Sequence, residues 1–271
     1  ATETLESARK TAKEYEPIAA CLTEKGWLKE AYIQIDEPQP PAFPGVRNWI
    51  DAFREQPHAK DIKMFGFIYN AEAWDGLRNH IDILVPENND SGNAFSPVGM
   101  AKKPPKQEVW CYWTNTCHQW IDAPGIDQRL FAPKVWWMGA MGMSTWGILL
   151  WWKEQSDWNF ADNPWTDPQT PWGNGVLAYF YPPDPKGADL TEKNMTVVPS
   201  LRLLLTRDGI EDFEYATILD RLIKARKAKG KDTAQAERAL ASMRRQFATP
   251  VSWTLSELHW QETRAAVARA I

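Results

Sequence analysis

The stretch Ala31-Tyr32-Ile33-Gln34-Ile35-Asp36-Glu37-Pro38 constrains this chain more than any other. Tyr32, Ile33 and Ile35 suit a short buried strand. Pro38 stops that strand and pushes Glu37 towards an extended conformation. Two adjacent carboxylates therefore stand at the carboxyl end of a buried strand, where α/β folds put their chemistry. Neighbouring strand residues point to opposite faces, so Asp36 and Glu37 serve one site only if the chain is already bending there.

Strands and helices alternate on both sides of this stretch. Apolar residues from Leu5 to Leu22 recur at helical spacing and predict a helix over 4–25 that Gly26 closes. The first strand follows at 27–35, and a proline-rich loop leads to a short helix at 46–53. Further strands are expected at 61–69, 81–86, 108–114 and 145–152, with helices at 71–78 and 127–141. Residues 153–199 are irregular, and a loop of that length is usually functional. Ser200 is placed to cap a helix running to 229, which Gly230 ends. Thr254-Leu255-Ser256-Glu257 matches a capping box and opens a last helix. Strand then helix, repeated, is the signature of a parallel sheet. None of the expected strands leads into a Gly-rich phosphate loop, which weighs against a doubly wound nucleotide-binding fold.

Composition narrows the function. A net charge of -4 with 24% charged residues offers no basic surface for nucleic acid or an anionic membrane. Four histidines, and no Cys/His pair at zinc spacing, give no reason to expect a metal site. Three cysteines are too few for a disulfide framework. Cys111 and Cys117 are close enough in sequence to pair, but buried thiols are the expectation. The apolar run 136–152 carries Gly139, Gly142 and Gly147 and divides better into a helix and a strand than into a membrane span. No signal- or transit-peptide pattern is present. The unusual figure is 16 Trp. Indole rings stack on the C–H faces of sugars, and a tryptophan excess near strand ends suits carbohydrate; about half are expected in the core.

Several motifs in a fixed order then become informative together. They are Trp110-Cys111-Tyr112-Trp113, Gly147-Ile148-Leu149-Leu150-Trp151-Trp152, Asn163-Pro164-Trp165, Gly173-Asn174-Gly175 and Pro199-Ser200-Leu201-Arg202. The most specific is Arg207-Asp208-Gly209-Ile210-Glu211-Asp212-Phe213-Glu214-Tyr215. Taken in sequence they resemble the catalytic domain of glycoside hydrolase family 123 and its relatives, and Asp36-Glu37-Pro38 falls where that family carries its catalytic acid pair. The resemblance implies a (β/α)8 TIM-type barrel. In that mapping 27–35 is strand four and 145–152 strand eight, so residues 1–271 are a single catalytic-barrel segment: 1–199 hold strands four to eight with their loops, and 200–271 the C-terminal helices. The first three strands then belong to a longer chain or to a second polypeptide that completes the barrel, because an unclosed sheet leaves strand edges unpaired. The resemblance also implies a glycan or glycoconjugate substrate, no cofactor, and a secreted or periplasmic location.

The chemistry can be argued from the acid pair itself. Most retaining glycosidases hold two carboxyl groups about 5–5.5 Å apart across the scissile bond. Adjacent residues on one strand fit a substrate-assisted route better, in which the sugar's own 2-acetamido oxygen attacks the anomeric carbon. Glu37 would protonate the leaving oxygen and then activate water, while Asp36 would hold the acetamido N–H. The resemblance implies the same assignment and adds a preference for N-acetylgalactosaminides among β-linked N-acetylhexosaminides. Two alternatives stand beside it: the same scaffold acting on another glycan, and a non-catalytic carbohydrate-binding protein. Tyr112 either donates to the acetamido oxygen or fills the core. Trp151 is a candidate floor for the sugar ring, with Trp152 facing the other way. Trp113, Trp158, Trp165 and Trp172 are candidate subsite walls. Tyr69, Asn70, Glu72, Glu87 and Asn88 follow the second and third strands and are candidates for sugar hydroxyls, or solvated loop residues. Arg207, Asp208, Glu211 and Asp212 lie at helical spacing and are expected in ion pairs and caps. His118 is expected at the surface.

Overall fold

The first helix, α1 (Leu5–Glu24), begins where Thr4 accepts the Ser7 N–H at 3.2 Å and buries Ala8, Ala12 and Ala19. The computed structural model describes residues 4–68, 71–87, 107–113, 120–145, 147–154, 159–160, 164–170, 173–176, 178–181, 198–249 and 252–271. The chain divides into two compact units, residues 1–112 with 140–142, and residues 113–139 with 143–271.

In the first unit the chain does not pass directly from α1 into a strand. Leu28–Glu30 forms a 3₁₀ turn, and only Tyr32–Ile35 makes strand β1. The Ala31 N–H closes that turn on the Leu28 carbonyl at 3.0 Å, which takes Trp27 to Glu30 out of the expected strand. Next come α2 (Phe43–Arg54), β2 (Lys63–Ile68), α3 (Ala71–Leu77), β3 (Ile83–Pro86) and β4 (Glu108–Trp113), and β5 (Gly142–Thr145) begins at the last residue of this unit. The sheet runs in the order β1-β2-β3-β4-β5, curled like part of a barrel. Its pairings are parallel, with Ile35 opposite Gly66, Phe67 opposite Val85 and Leu84 opposite Val109.

That register sorts the side chains. Met64, Ile68 and Leu84 are buried on one face. Phe65, Phe67, Ile83, Val85, Trp110 and Tyr112 cluster on the other. Tyr32 joins the second face, its ring 5.7 Å from Trp110 and 6.4 Å from Phe65. Because side chains alternate along a strand, Gln34 and Asp36 continue this aromatic face.

Two expected elements move. The helix expected at 127–141 is two helices, α4 (Gly125–Arg129) and α5 (Phe131–Met138), and Gly139 ends the second with φ 78, a left-handed cap that a residue with Cβ adopts only at a cost. The chain is released early, the Met141 N–H bonds the Val109 carbonyl at 2.8 Å, and β5 starts at Gly142 instead of Thr145. Residues 147–151 are consequently not part of the fifth strand.

The second unit is mainly helical. It contains α4, α5, α6 (Leu201–Lys227), α7 (Ala234–Arg244) and α8 (Glu257–Ala270), around a core that includes Leu219, Ile223, Leu240, Met243, Trp260 and Val267. Ser200 caps α6 by accepting the Leu203 N–H at 3.3 Å. The cap of α8 is Ser256, which accepts the His259 N–H at 3.3 Å, while Thr254 instead accepts the Ser256 N–H at 3.1 Å. Helix α7 is rich in alanine and offers few large apolar residues to mark a period. Short antiparallel ladders pair Gln169–Thr170 with Gly173–Asn174, and Phe180–Tyr181 with Val198–Pro199. Among the described residues no helix is long and apolar enough to cross a membrane.

Candidate active site

The carboxyl end of β1 bends at Glu37. Its φ is +36, a left-handed conformation, so the proline that follows does not hold it extended as expected. Such a backbone costs a residue with Cβ about 1–2 kcal/mol, and it persists where the surroundings fix it. Here Pro38 is buried, the Gln39 side-chain amide donates to the Glu37 carbonyl at 3.2 Å, and the Tyr112 hydroxyl donates to Glu37 Oε1. The bend answers the geometrical objection to two adjacent acids. Asp36 already lies on the aromatic face of the sheet, and the turn at Glu37 brings the second carboxylate to the same phenol. Gln34, two residues before Asp36, donates to its Oδ1 at 3.4 Å.

Tyr112 is the fixed point of this arrangement. It is only 2% exposed, and its ring meets Phe67 edge-on at 4.8 Å. Burial pushes its pKa well above the usual phenol range, and the hydrogen bond to Glu37 with the charges of Glu37, Glu87 and Asp36 pushes it the same way. The phenol therefore keeps its proton and acts as a donor. Glu87 arrives from the neighbouring strand, because its backbone pairs in parallel with Tyr112 just beyond the end of β3. Asp36 and Glu37 are exposed and Glu87 is half-buried, so three carboxylates surround one buried hydroxyl at the carboxyl end of the sheet. The bond between Tyr112 and Glu37, 75 residues apart in sequence, had no local signal. The place of Glu87 follows once β3 and β4 are paired in register.

The remaining candidates fall elsewhere. In the second unit Trp151 is 5% exposed, its indole N–H donates to the Phe180 carbonyl at 2.7 Å, and its ring lies 4.7 Å from Tyr181. Trp165 packs on the other ring contact of Tyr181 at 4.5 Å and is 39% exposed, so it is the open ring of the three. Glu72 is exposed in the first turn of α3. Tyr69, Asn70, Asn88, Cys117, His118, Trp158 and Trp172 lie outside the described residues, as do the side chains of Trp113 and Trp152. The thiol of Cys111 is buried.

The Arg207–Tyr215 motif lies on α6, and its Gly209 and Asp212 are buried. Asp212, fully buried, accepts from Arg129 Nε at 2.8 Å, Arg264 Nε at 2.5 Å and the Trp260 indole at 2.8 Å. Arg207 pairs with Asp208, and Glu211 lies 3.7 Å from Arg264.

No protein-family model matches the chain, and no curated protein matches it. Its fold is nevertheless similar to a solved structure, that of a family 123 glycoside hydrolase from Clostridium perfringens described for glycolipid glycan hydrolysis. The match covers 100% of this chain and 45% of that one, with a TM-score of 0.61 and 13% sequence identity. The chain thus spans less than half the length of the protein it matches.

Proposed function

We propose that this chain carries the acid pair of a retaining glycosidase acting on β-linked N-acetylhexosaminides, with N-acetylgalactosaminides favoured. What supports the reading is one observation: the bend at Glu37 brings Asp36 and Glu37 around a single buried phenol at the carboxyl end of a parallel sheet. Glu37 gives its proton to the glycosidic oxygen as that bond breaks. The 2-acetamido carbonyl oxygen closes on the anomeric carbon and forms an oxazolinium ring. Asp36 accepts the acetamido N–H, orienting the group and offsetting its developing positive charge. Glu37, now ionised, takes a proton from water as the water opens the ring, and the β configuration is restored. The same reading takes residues 1–271 as one segment of a catalytic barrel. The remaining strands then come from another part of a longer chain or from a second polypeptide, and the enzyme is secreted or periplasmic.

Site-directed variants test the division of labour. Glu37→Gln should lower kcat on an N-acetylhexosaminide with an alkyl aglycone by about 10³-fold, the scale of general acid–base catalysis. Asp36→Asn should lower kcat by about 10²-fold through loss of the charge that meets the oxazolinium. An Asp36→Asn enzyme as fast as wild type would remove Asp36 from the mechanism.

A further inference from the structure

We infer that Tyr112 is a positioning residue for the Glu37 acid: its hydroxyl occupies Glu37 Oε1, so that the transferable proton sits on Oε2. This rests on the glycosidase reading above and adds to it a role set by the structure itself. A phenol has one proton to donate, and here it goes to Glu37. That bond is compatible with both forms of the acid. In the carboxylate, Oε1 is an anionic acceptor. In the carboxylic acid, Oε1 is the carbonyl oxygen and still accepts, though more weakly than the anion, which leaves Oε2 to carry the proton. Only the oxygen that faces the leaving group is then acidic.

The surroundings make the arrangement one-directional. Tyr112 is buried and its ring is held against Phe67, so the hydroxyl cannot swing far from Glu37. Asp36 and Glu87 add negative charge beside it, which keeps the phenol protonated and prevents it from competing as an acid. The left-handed turn at Glu37 sets the backbone from which the carboxylate reaches the phenol. General acid catalysis depends on a proton lying on the right atom, and small displacements of a catalytic group are costly.

The test compares wild type and Tyr112→Phe on two N-acetylhexosaminides, one with an alkyl aglycone and one with a 2,4-dinitrophenyl aglycone that leaves without a proton. Positioning of the acid predicts a fall in kcat of about 30-fold on the alkyl substrate and at most about threefold on the dinitrophenyl one, since only the first needs the proton. Equal losses on both would mean that Tyr112 acts on the acetamido group instead, and no loss on either would mean that it has no part in the reaction; each overturns the inference. The hydrogen bond itself is read without turnover, by the Tyr112 Cζ chemical shift of ¹³C-tyrosine-labelled wild type and Glu37→Gln at neutral pH. The resonance should move when the carboxylate acceptor is replaced by an amide, and an unmoved resonance would overturn the assignment. Wild type inert on both glycosides would instead count against the glycosidase reading, and the NMR comparison would still decide the bond.

Discussion

Glu37 combines a strained backbone with the side chain proposed to do the chemistry. Its left-handed φ costs any residue with a Cβ about 1–2 kcal/mol, and glycine is spared that cost. Glu37→Ala and Glu37→Gly both lose the Tyr112 hydrogen bond, so the difference between them isolates the backbone. Glu37→Gly should be the more stable of the two by about 1 kcal/mol in urea unfolding. An alanine variant at least as stable as the glycine one would show that the backbone is not held left-handed. At this scale the sequence was informative about chemical identity and silent about geometry. That two carboxylates stand at the end of β1 was legible from Asp36-Glu37-Pro38 because proline ends a strand. The left-handed turn was not, because the influence of Pro38 on its neighbour points the other way, and the groups that override it, Tyr112 above all, are distant in sequence.

Among the elements, what could be read locally was placed well, and what depended on tertiary contacts was not. Thr4, Ser200 and Gly139 act within a few residues of themselves, and the first two mark helix starts that match expectation. Gly139 was read as one of three glycines in an apolar run, yet the expected helix ran through it to 141, so neither the helix stop nor the shift of β5 from Thr145 to Gly142 was read. That start also depends on pairing with Val109, far back in the chain. Two elements carry predictions. Glu16 of α1 accepts the Ala59 N–H at 3.0 Å and the His58 N–H at 3.1 Å, with His58 Nδ1 at 2.6 Å. Burial pushes its pKa up, but the Ala59 and His58 donors outweigh burial and leave it below the usual glutamate value. A depressed carboxylate pKa gives stability that is present above the unfolded value and is lost as pH falls through the folded one. Glu16→Gln should therefore melt below wild type at pH 7, and the gap should close under acid, below the ordinary glutamate range. A gap independent of pH would assign the effect to packing. In the second unit, a Cβ at Gly209 of α6 would collide with the Arg129 carbonyl oxygen. Alanine is the better helix former by about 1 kcal/mol, but the clash is worth more, so Gly209→Ala should destabilise by about 2–3 kcal/mol in denaturant unfolding. It should do so beside Asp212, whose contacts with Arg129, Arg264 and Trp260 join α4, α6 and α8.

For the molecule as a whole, the curled parallel sheet gives the site its setting. Aromatic rings from β1, β2 and β4 fill one face of that sheet, and the carboxylates gather where the strands end. The alternation of strands and helices made this class of fold legible from sequence, while the curl required the pairing register. The fold likeness to a glycoside hydrolase is compatible with the acid pair but does not by itself specify a substrate. The dependence on a 2-acetamido group is what separates neighbouring-group participation from every other glycosidase route. The most direct measurement is therefore the initial rate of hydrolysis of an aryl 2-acetamido-2-deoxy-β-galactoside beside the matching aryl β-galactoside, with wild type and Glu37→Gln. Turnover of the acetamido sugar, with the plain galactoside slower by about 10³-fold or more and Glu37→Gln slower than wild type on the acetamido sugar, is the predicted result. Equal rates on the two glycosides, or a Glu37→Gln protein as active as wild type, would contradict it.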